Sequence, residues 1–424
     1  MVYGYDAVGN LTQRTDYNSA ITTYVYDDLN RLTTVNYPDS TTATYGYDGL
    51  SRVTSAANQN GTVSFNYDSR NRVTSTTDVW NQTVGYSYDE NGNRLTMTVA
   101  GAPYASYQYD VVDRLTTLTD SLSQNFTYNY DAVNRLTSRA APNGVTTNFT
   151  YDGLDRLFEL SHTKSPATLS INQYGYNNAS KLVSWLGSAG NRSFNYDDAD
   201  RLISVLKMGG NESYGYDAVG NRTSSHLSTS YTYQGLNKLA STNSATYSYD
   251  NNGRQSAKVD GSGTRTLAWD PENRLKQVTL PGGPSAIYKY DALGRRIQRT
   301  TSAGADERYV YDGDDVVVDL NSSSGVTTTY LNGPGIDDHL RQTNTTTGTS
   351  YFLTDHLGTT AALTDASGNV VETLAYDSFG NNAGSTRTRH PLRLEYVQRA
   401  GRFAARGPRL WQLLLRQALH HTSG

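Results

Sequence analysis

The pattern Tyr-x-Tyr-Asp-x-x-x-Arg-Leu-Thr recurs about every twenty-one residues from Tyr3 to Asp312, and a chain with that period must be read first as a repeat array. It is complete in Tyr24-Val25-Tyr26-Asp27-Asp28-Leu29-Asn30-Arg31-Leu32-Thr33. The Asp falls at Asp6, Asp27, Asp48, Asp68, Asp89, Asp110, Asp131 and Asp152, in steps of 20 or 21 residues. The second Tyr continues through Tyr176, Tyr196, Tyr216, Tyr233, Tyr249, Tyr290 and Tyr311, with Trp269 replacing it once, for sixteen units. In such an array each unit contacts mainly its neighbours, so length counts units rather than domains.

Each unit reads as a β-hairpin. Two aromatics one residue apart, such as Tyr24 and Tyr26, Tyr45 and Tyr47, or Tyr128 and Tyr130, share one face of a strand. Asp27, Asp48 and Asp131 then open a type I turn, and the third residue on (Asn30, Ser51, Asn134) is of a type that tolerates positive φ. Arg31, Arg52 and Arg135 begin the return strand, where each is expected to pair with its turn Asp or to lie on a Tyr face. At the other end, Tyr37-Pro38-Asp39-Ser40, Asn58-Gln59-Asn60-Gly61 and Pro142-Asn143-Gly144 join successive hairpins into a meander. The expected fold is all-β: one continuous antiparallel sheet built from hairpins. Hydrophobic residues are only 36%, but 34 Tyr supply large area with a polar tip, enough for a shell one sheet thick.

The period loosens between Thr163 and Ser180 and shortens between Tyr233 and Tyr249, which predicts a bend or altered registration. Past Asp312 it stops, and Val316-Val317-Val318-Asp319-Leu320 reads as a buried strand opening a differently built segment.

Several function classes are disfavoured. Without cysteine the chain has no disulfide, thiolate ligand or thiol nucleophile. A formal charge of −4 provides no overall field for nucleic acid. No apolar run is long enough for a transmembrane helix. The N-terminus starts inside a repeat with no secretion signal, reading as a cut within a longer array. Asp355-His356 has the composition of half an acid–base site and Asp337-Asp338-His339 that of a metal site, yet no third group completes either, and turn capping is the plainer reading. The motif aspartates each stand beside an Arg, which disfavours calcium. Tyr ladders suit sugar stacking, but stacking on one another accounts for them more simply. No catalytic, cofactor-binding or metal residue is expected, and no cofactor.

The units resemble the YD (Rhs) repeat, and the stretch from Tyr351, with Asp355-His356-Leu357-Gly358 and Tyr376-Asp377-Ser378-Phe379-Gly380, resembles the Rhs repeat-associated core that closes such arrays. The resemblance divides the chain into a repeat array at 1–315, an incomplete core segment at 316–384 and a divergent tail at 385–424. It implies a spiralling β-sheet cage of the kind found in bacterial polymorphic toxins, Tc toxin complexes and teneurins. The implied partner is an encapsulated C-terminal effector or a neighbouring cell-surface protein or glycan, in an extracellular or cell-surface setting. The expected role is a non-catalytic scaffold. Alternatives are an extracellular carbohydrate- or protein-binding module and a non-functional remnant of a larger protein. Sixteen units are expected to leave an open or partial cage.

The tail departs from the family pattern, which continues with a Tyr-rich segment and an Asp-Pro self-cleavage region. Residues 385–424 hold eight Arg, one Glu and no Asp or Lys, a net +7 against −11 for the remainder. Reading CTA codons at Leu413-Leu414-Leu415 one base further on yields Tyr-Tyr-Tyr, so the tail reads as a frameshifted core end, poorly ordered or helical. Without the Asp-Pro region no self-cleavage is expected.

Overall fold

The structure, a computed structural model, describes residues 1–188, 190–335 and 337–387. The tail beyond Arg387, with its expected frameshift, lies outside the described residues. Within them are thirty-eight β-strands, a single 3-10 turn at Gly235–Asn237 and no α-helix.

The hairpin is built by its turn. Asp27 N–H donates to the Arg31 carbonyl at 3.0 Å and Asn30 N–H to the Asp27 carbonyl at 2.9 Å. Asn30 takes φ 59°, Ser51 62° and Asn134 70°, and a bulge follows at Val25/Tyr26 and at its equivalents. This is a type I turn with a left-handed bulge residue, the geometry that loop composition predicted.

Strands pair antiparallel with their chain neighbours, but the array is two sheets rather than one. The first twenty-two strands, Val2–Tyr5 to Arg222–Ser225, form one and the last sixteen, Tyr231–Gln234 to Asn382–Arg387, the other. The break lies just before the segment where the sequence places the shortening: the chain doubles back in a tight Ser225–Ser228 bridge. Only side chains then span the gap, with Tyr233 Oη donating to the Arg222 carbonyl at 2.7 Å. The stretched spacing at 163–180 has another cause. It is taken up in one long hairpin, Leu157–Lys164 with Ala167–Tyr176, whose ladder continues past a bulge.

The second sheet lies along the first as the next layer of a spiral. Arg14 donates to the Pro271 carbonyl (3.2 Å), Tyr45 to that of Ala292 (3.2 Å), Tyr86 to Asp312 (2.7 Å) and Asn143 to Thr364 (3.0 Å), and Glu212 accepts from Ser378 N–H (3.1 Å). Both partners advance together, so the layers run in the same direction. From Leu11–Thr15 to Glu212–Tyr216 the first layer uses twenty strands, whereas the second uses ten from Leu275–Thr279 to Val370–Tyr376. At about 4.8 Å per strand the second arc is about half as long, so the winding tightens toward the core end.

Layers meet rim to rim. The second layer's Asp-x-x-x-Arg turns rest on the rim formed by the first layer's inter-unit turns. Leu293, in the turn after Asp291, packs against the first-layer cluster of Leu32, Val35, Ala43, Tyr45 and Ala56. The same motif position in the first layer faces outward, with Leu29, Leu50, Val133 and Leu154 exposed at 65, 68, 64 and 69%. The largest core cluster also straddles the seam, joining Val84, Leu118 and Phe126 to Val317, Leu331, Leu340 and Tyr351.

Candidate functional site

The motif residues assemble a joint that repeats from unit to unit. In the turn, Asp27 Oδ1 accepts the N–H groups of Leu29 (3.0 Å) and Arg31 (2.9 Å), while Oδ2 accepts Arg31 Nε at 2.7 Å. The Arg31 side chain, then its N–H, hold the Asp27 carboxyl below the usual carboxylate range. The rest of the guanidinium reaches the following unit. It sits 4.7 Å from the Tyr47 ring centroid and donates to the Asp48 carbonyl at 3.1 Å. Tyr47 Oη donates back to the Leu32 carbonyl at 2.8 Å.

Arg52 repeats this with Asp48 (2.6 Å), Tyr67 (4.6 Å) and the Asp68 carbonyl (3.1 Å). Arg135 repeats part of it with Asp131 (2.6 Å) and Tyr151 (4.7 Å). Tyr130 closes the preceding joint under Arg114, 5.0 Å from its ring, with its hydroxyl on the Leu115 carbonyl at 2.9 Å. Pairing with Asp and lying on Tyr are therefore simultaneous, not alternatives, and the Tyr belongs to the next unit. A guanidinium already occupies one face of these rings.

Where the motif turn reaches the seam, the same pair is buried. Asp291 and Arg295 meet at 2.8 Å with side chains only 0 and 11% exposed, against 25 and 22% for Asp27 and Arg31.

Other candidate residues lie along the seam. Asp338 pairs with Arg139 of the first layer at 2.8 Å, and His339 Nδ1 is 2.8 Å from Asn332 Oδ1. The Asp337-Asp338-His339 run thus supplies a cross-layer ion pair, which neither the metal nor the turn-capping reading foresaw. Among the described residues no group of three or more His, Asp or Glu is arranged to hold a metal ion. Asp355 Oδ1 accepts the N–H groups of Leu357 (2.9 Å) and Thr359 (3.0 Å), and Gly358 closes that turn at φ 76°. His356 projects from it onto the first layer, 4.5 Å from the Tyr174 ring and 5.3 Å from that of Trp185. Burial pushes the Asp355 carboxyl up and the His356 imidazole down, favouring the neutral form of each. The second signature turn packs alike. Asp377 Oδ1 accepts Phe379 N–H (2.9 Å) and Asn381 N–H (2.8 Å), Gly380 takes φ 82°, and the Tyr376 phenol is pushed up to about 12, chiefly by burial.

Two further cross-layer pairs escaped sequence reasoning. Arg94 binds Asp312 at 2.5 Å under the Tyr86 ring, and Arg341 pairs with Asp120 where both are nearly buried. A signal existed for Arg139. Eight residues after the motif Asp, six of the first eight units bury Val35, Ala56, Thr76, Met97, Leu118 and Leu160, while Arg14 and Arg139 break the pattern and both reach the second layer.

The teneurin YD-shell family model matches residues 1–193 and 184–399, nearly the whole chain. The chain belongs to this family. Among curated relatives, the tRNA3(Ser)-specific nuclease WapA of Bacillus spizizenii is 34% identical over 151 residues, 34% of this chain and 6% of that protein. The probable deoxyribonuclease RhsA of Dickeya dadantii is 38% identical over 76 residues, 16% of this chain and 5% of that protein. This YD-shell chain therefore spans a small part of these relatives. The crystal structure of TcdB2-TccC3-Cdc42 superimposes over 91% of this chain and 25% of that one, with TM-score 0.69 at 17% identity. The Tc holotoxin pore of Photorhabdus luminescens gives 0.51 at 14% identity, over 90% of this chain and 27% of that one. These likenesses establish the fold: an Rhs/YD-type shell that does not close into a barrel. Among the described residues no helix is long and apolar enough to cross a membrane.

Proposed function

We propose that the chain is a non-catalytic scaffold, part of a shell that encloses or presents a C-terminal toxin or effector outside the producing cell. The observation carrying this reading is the repeated joint. Arg31, Tyr47 and Asp48, and their equivalents, spend their hydrogen-bonding and ring-face capacity on fastening one unit to the next. The tightening of the spiral supports an enclosing role, because a narrowing layer covers the end of a wider one. The nuclease names of the relatives supply the class of cargo, since WapA and RhsA are many times longer than the stretch they share with this chain. In this reading residues 1–315 are wall, residues 316–384 close it, and the effector is the partner.

The test is protease protection. The chain is expressed together with whatever polypeptide its gene encodes downstream, and digestion is followed by mass spectrometry. The downstream polypeptide is expected to resist digestion until the shell is unfolded. Digestion at the same rate with and without the shell would overturn the enclosing role.

A further inference from the structure

Two residues before the first aromatic of each unit, the first layer points a side chain into the sheet's buried face. In seven successive units it is Thr22, Ala43, Val63, Val84, Ala105, Phe126 and Thr147, each no more than 5% exposed. The next three units break the rule with Asn172, Arg192 and Glu212. Polar and charged groups at an inward position are costly unless partnered. The partners of these three lead to the two core signature turns.

Asn172 Oδ1 accepts Trp185 Nε1 at 2.9 Å, and the Arg192 guanidinium lies 4.5 Å from the Trp185 ring. Together they hold Trp185 edge-on to His356. Glu212 has no side-chain exposure; it accepts Tyr214 Oη (2.6 Å) and the Ser378 N–H (3.1 Å) and pairs with Lys207. Burial works to raise its carboxyl, and the bonds from Lys207, Ser378 and Tyr214 outweigh burial and bring it down to about 2. Beside it the Phe379 ring is 3.8 Å from the Arg222 guanidinium and 4.7 Å from the Tyr214 ring, and His226 Nε2 is 3.5 Å from Asp377 Oδ2.

We infer that Asn172, Arg192 and Glu212 form a docking ladder for the two core signature turns, with Glu212 as the anchor that fastens strands 370–387 of the second layer to the first. The ligand class is an Asp-x-Phe-Gly turn offering a backbone N–H and an aromatic edge, and an Asp-His-Leu-Gly turn offering an imidazole. The ladder sets the register of the second layer's last described strands along the first. This holds whether or not the shell carries an effector. Among the described residues Asn382–Arg387 pairs with Val370–Tyr376 alone, so contacts to the first layer add to what holds these strands.

The experiment is hydrogen exchange on the full chain and on Glu212→Val, which restores the residue type of the regular units. The expected result is exchange about tenfold faster in residues 370–387, with residues 21–47 unchanged. Unchanged exchange at 370–387, or equal loosening of the whole first layer, would show Glu212 to be ordinary sheet filling. Arg222→Ala removes the cation that lies against the Phe379 and Tyr214 rings while leaving Glu212 itself in place, and must give the same footprint. If Glu212→Val does not fold, the Arg222→Ala map decides by the same criterion.

Discussion

Arg31 and Tyr47 belong to different repeats, yet the guanidinium of one covers the ring of the other at 4.7 Å while the phenol bonds the carbonyl of Leu32, next to that Arg. Such a contact makes neighbouring units energetically inseparable, so the array gains stability from junctions as well as from units.

Replacing one Arg should therefore be felt in the following unit. For Arg52→Ala we predict a loss of about 1 kcal/mol from the cation–π contact and its accompanying hydrogen bonds. Amides of Ser64–Tyr67 should exchange faster than those of Ile21–Tyr26. Arg52→Lys should recover little of this, because lysine lacks the planar fork that serves Asp48, Tyr67 and the Asp68 carbonyl together. Uniform loosening of both strands would contradict a junction-specific role.

Burial should separate two pairs of identical chemistry. Asp291→Ala leaves the Arg295 cation buried without its partner, a change expected to cost about 3–5 kcal/mol. Asp131→Ala, at a more exposed turn, should cost much less, since water takes over the role of the carboxylate. Chemical denaturation of both variants checks the order, and equal losses would contradict it.

The seam predicts a second contrast. Leu293→Ser removes an aliphatic group packed on the Leu32 and Tyr45 cluster and should cost about 1–2 kcal/mol. Leu50→Ser, at the same motif position on the open rim, should stay within about 0.5 kcal/mol. Thermal melts of the two variants decide it.

Two buried groups should respond to pH in opposite senses. Asp78 is raised to about 6 because burial outweighs the N–H bonds from Gln82 and Trp80. Its folded value exceeds its unfolded one, so its ionisation destabilises the fold progressively between about pH 4 and 6 and remains unfavourable above. Asp78→Asn should therefore gain more on wild type at pH 7 than at pH 5. His162, held between Thr147 and the Thr354 carbonyl, is lowered to about 4 by burial. Its contribution is lost as pH falls from about 6.5 toward 4, so His162→Gln should compare better with wild type at pH 5 than at pH 7. Melting-temperature differences that do not change with pH would refute both assignments.

Much of the unit was legible because its chemistry closes within a few residues. Asp27, Asn30 and Arg31 meet inside one turn, and the Tyr24 and Tyr26 alternation lies within one strand. The partner of Arg31 in the next unit was only half legible, since pattern alone does not say whether its ring is Tyr26 or Tyr47. The seam was legible only as out-of-pattern Arg residues, which signal that a partner exists but not where it lies. Asp338 offered the same letters for a metal ligand, a turn cap or an ion pair, and Arg139 decides between them from 199 residues away.

The amino-acid sequence alone determined the repeating hairpin, its turn type and its antiparallel order. Those properties follow from backbone preferences and side-chain periods that act over fewer than about ten residues. Only the tertiary structure decided that the strands divide into two sheets, that the second layer narrows, and that the motif turns at 270–294 sit on the inter-unit turns at 37–61. The reason is geometric: the twist between adjacent strands accumulates over many units. Small differences in each decide which residues, some two hundred positions apart, arrive face to face.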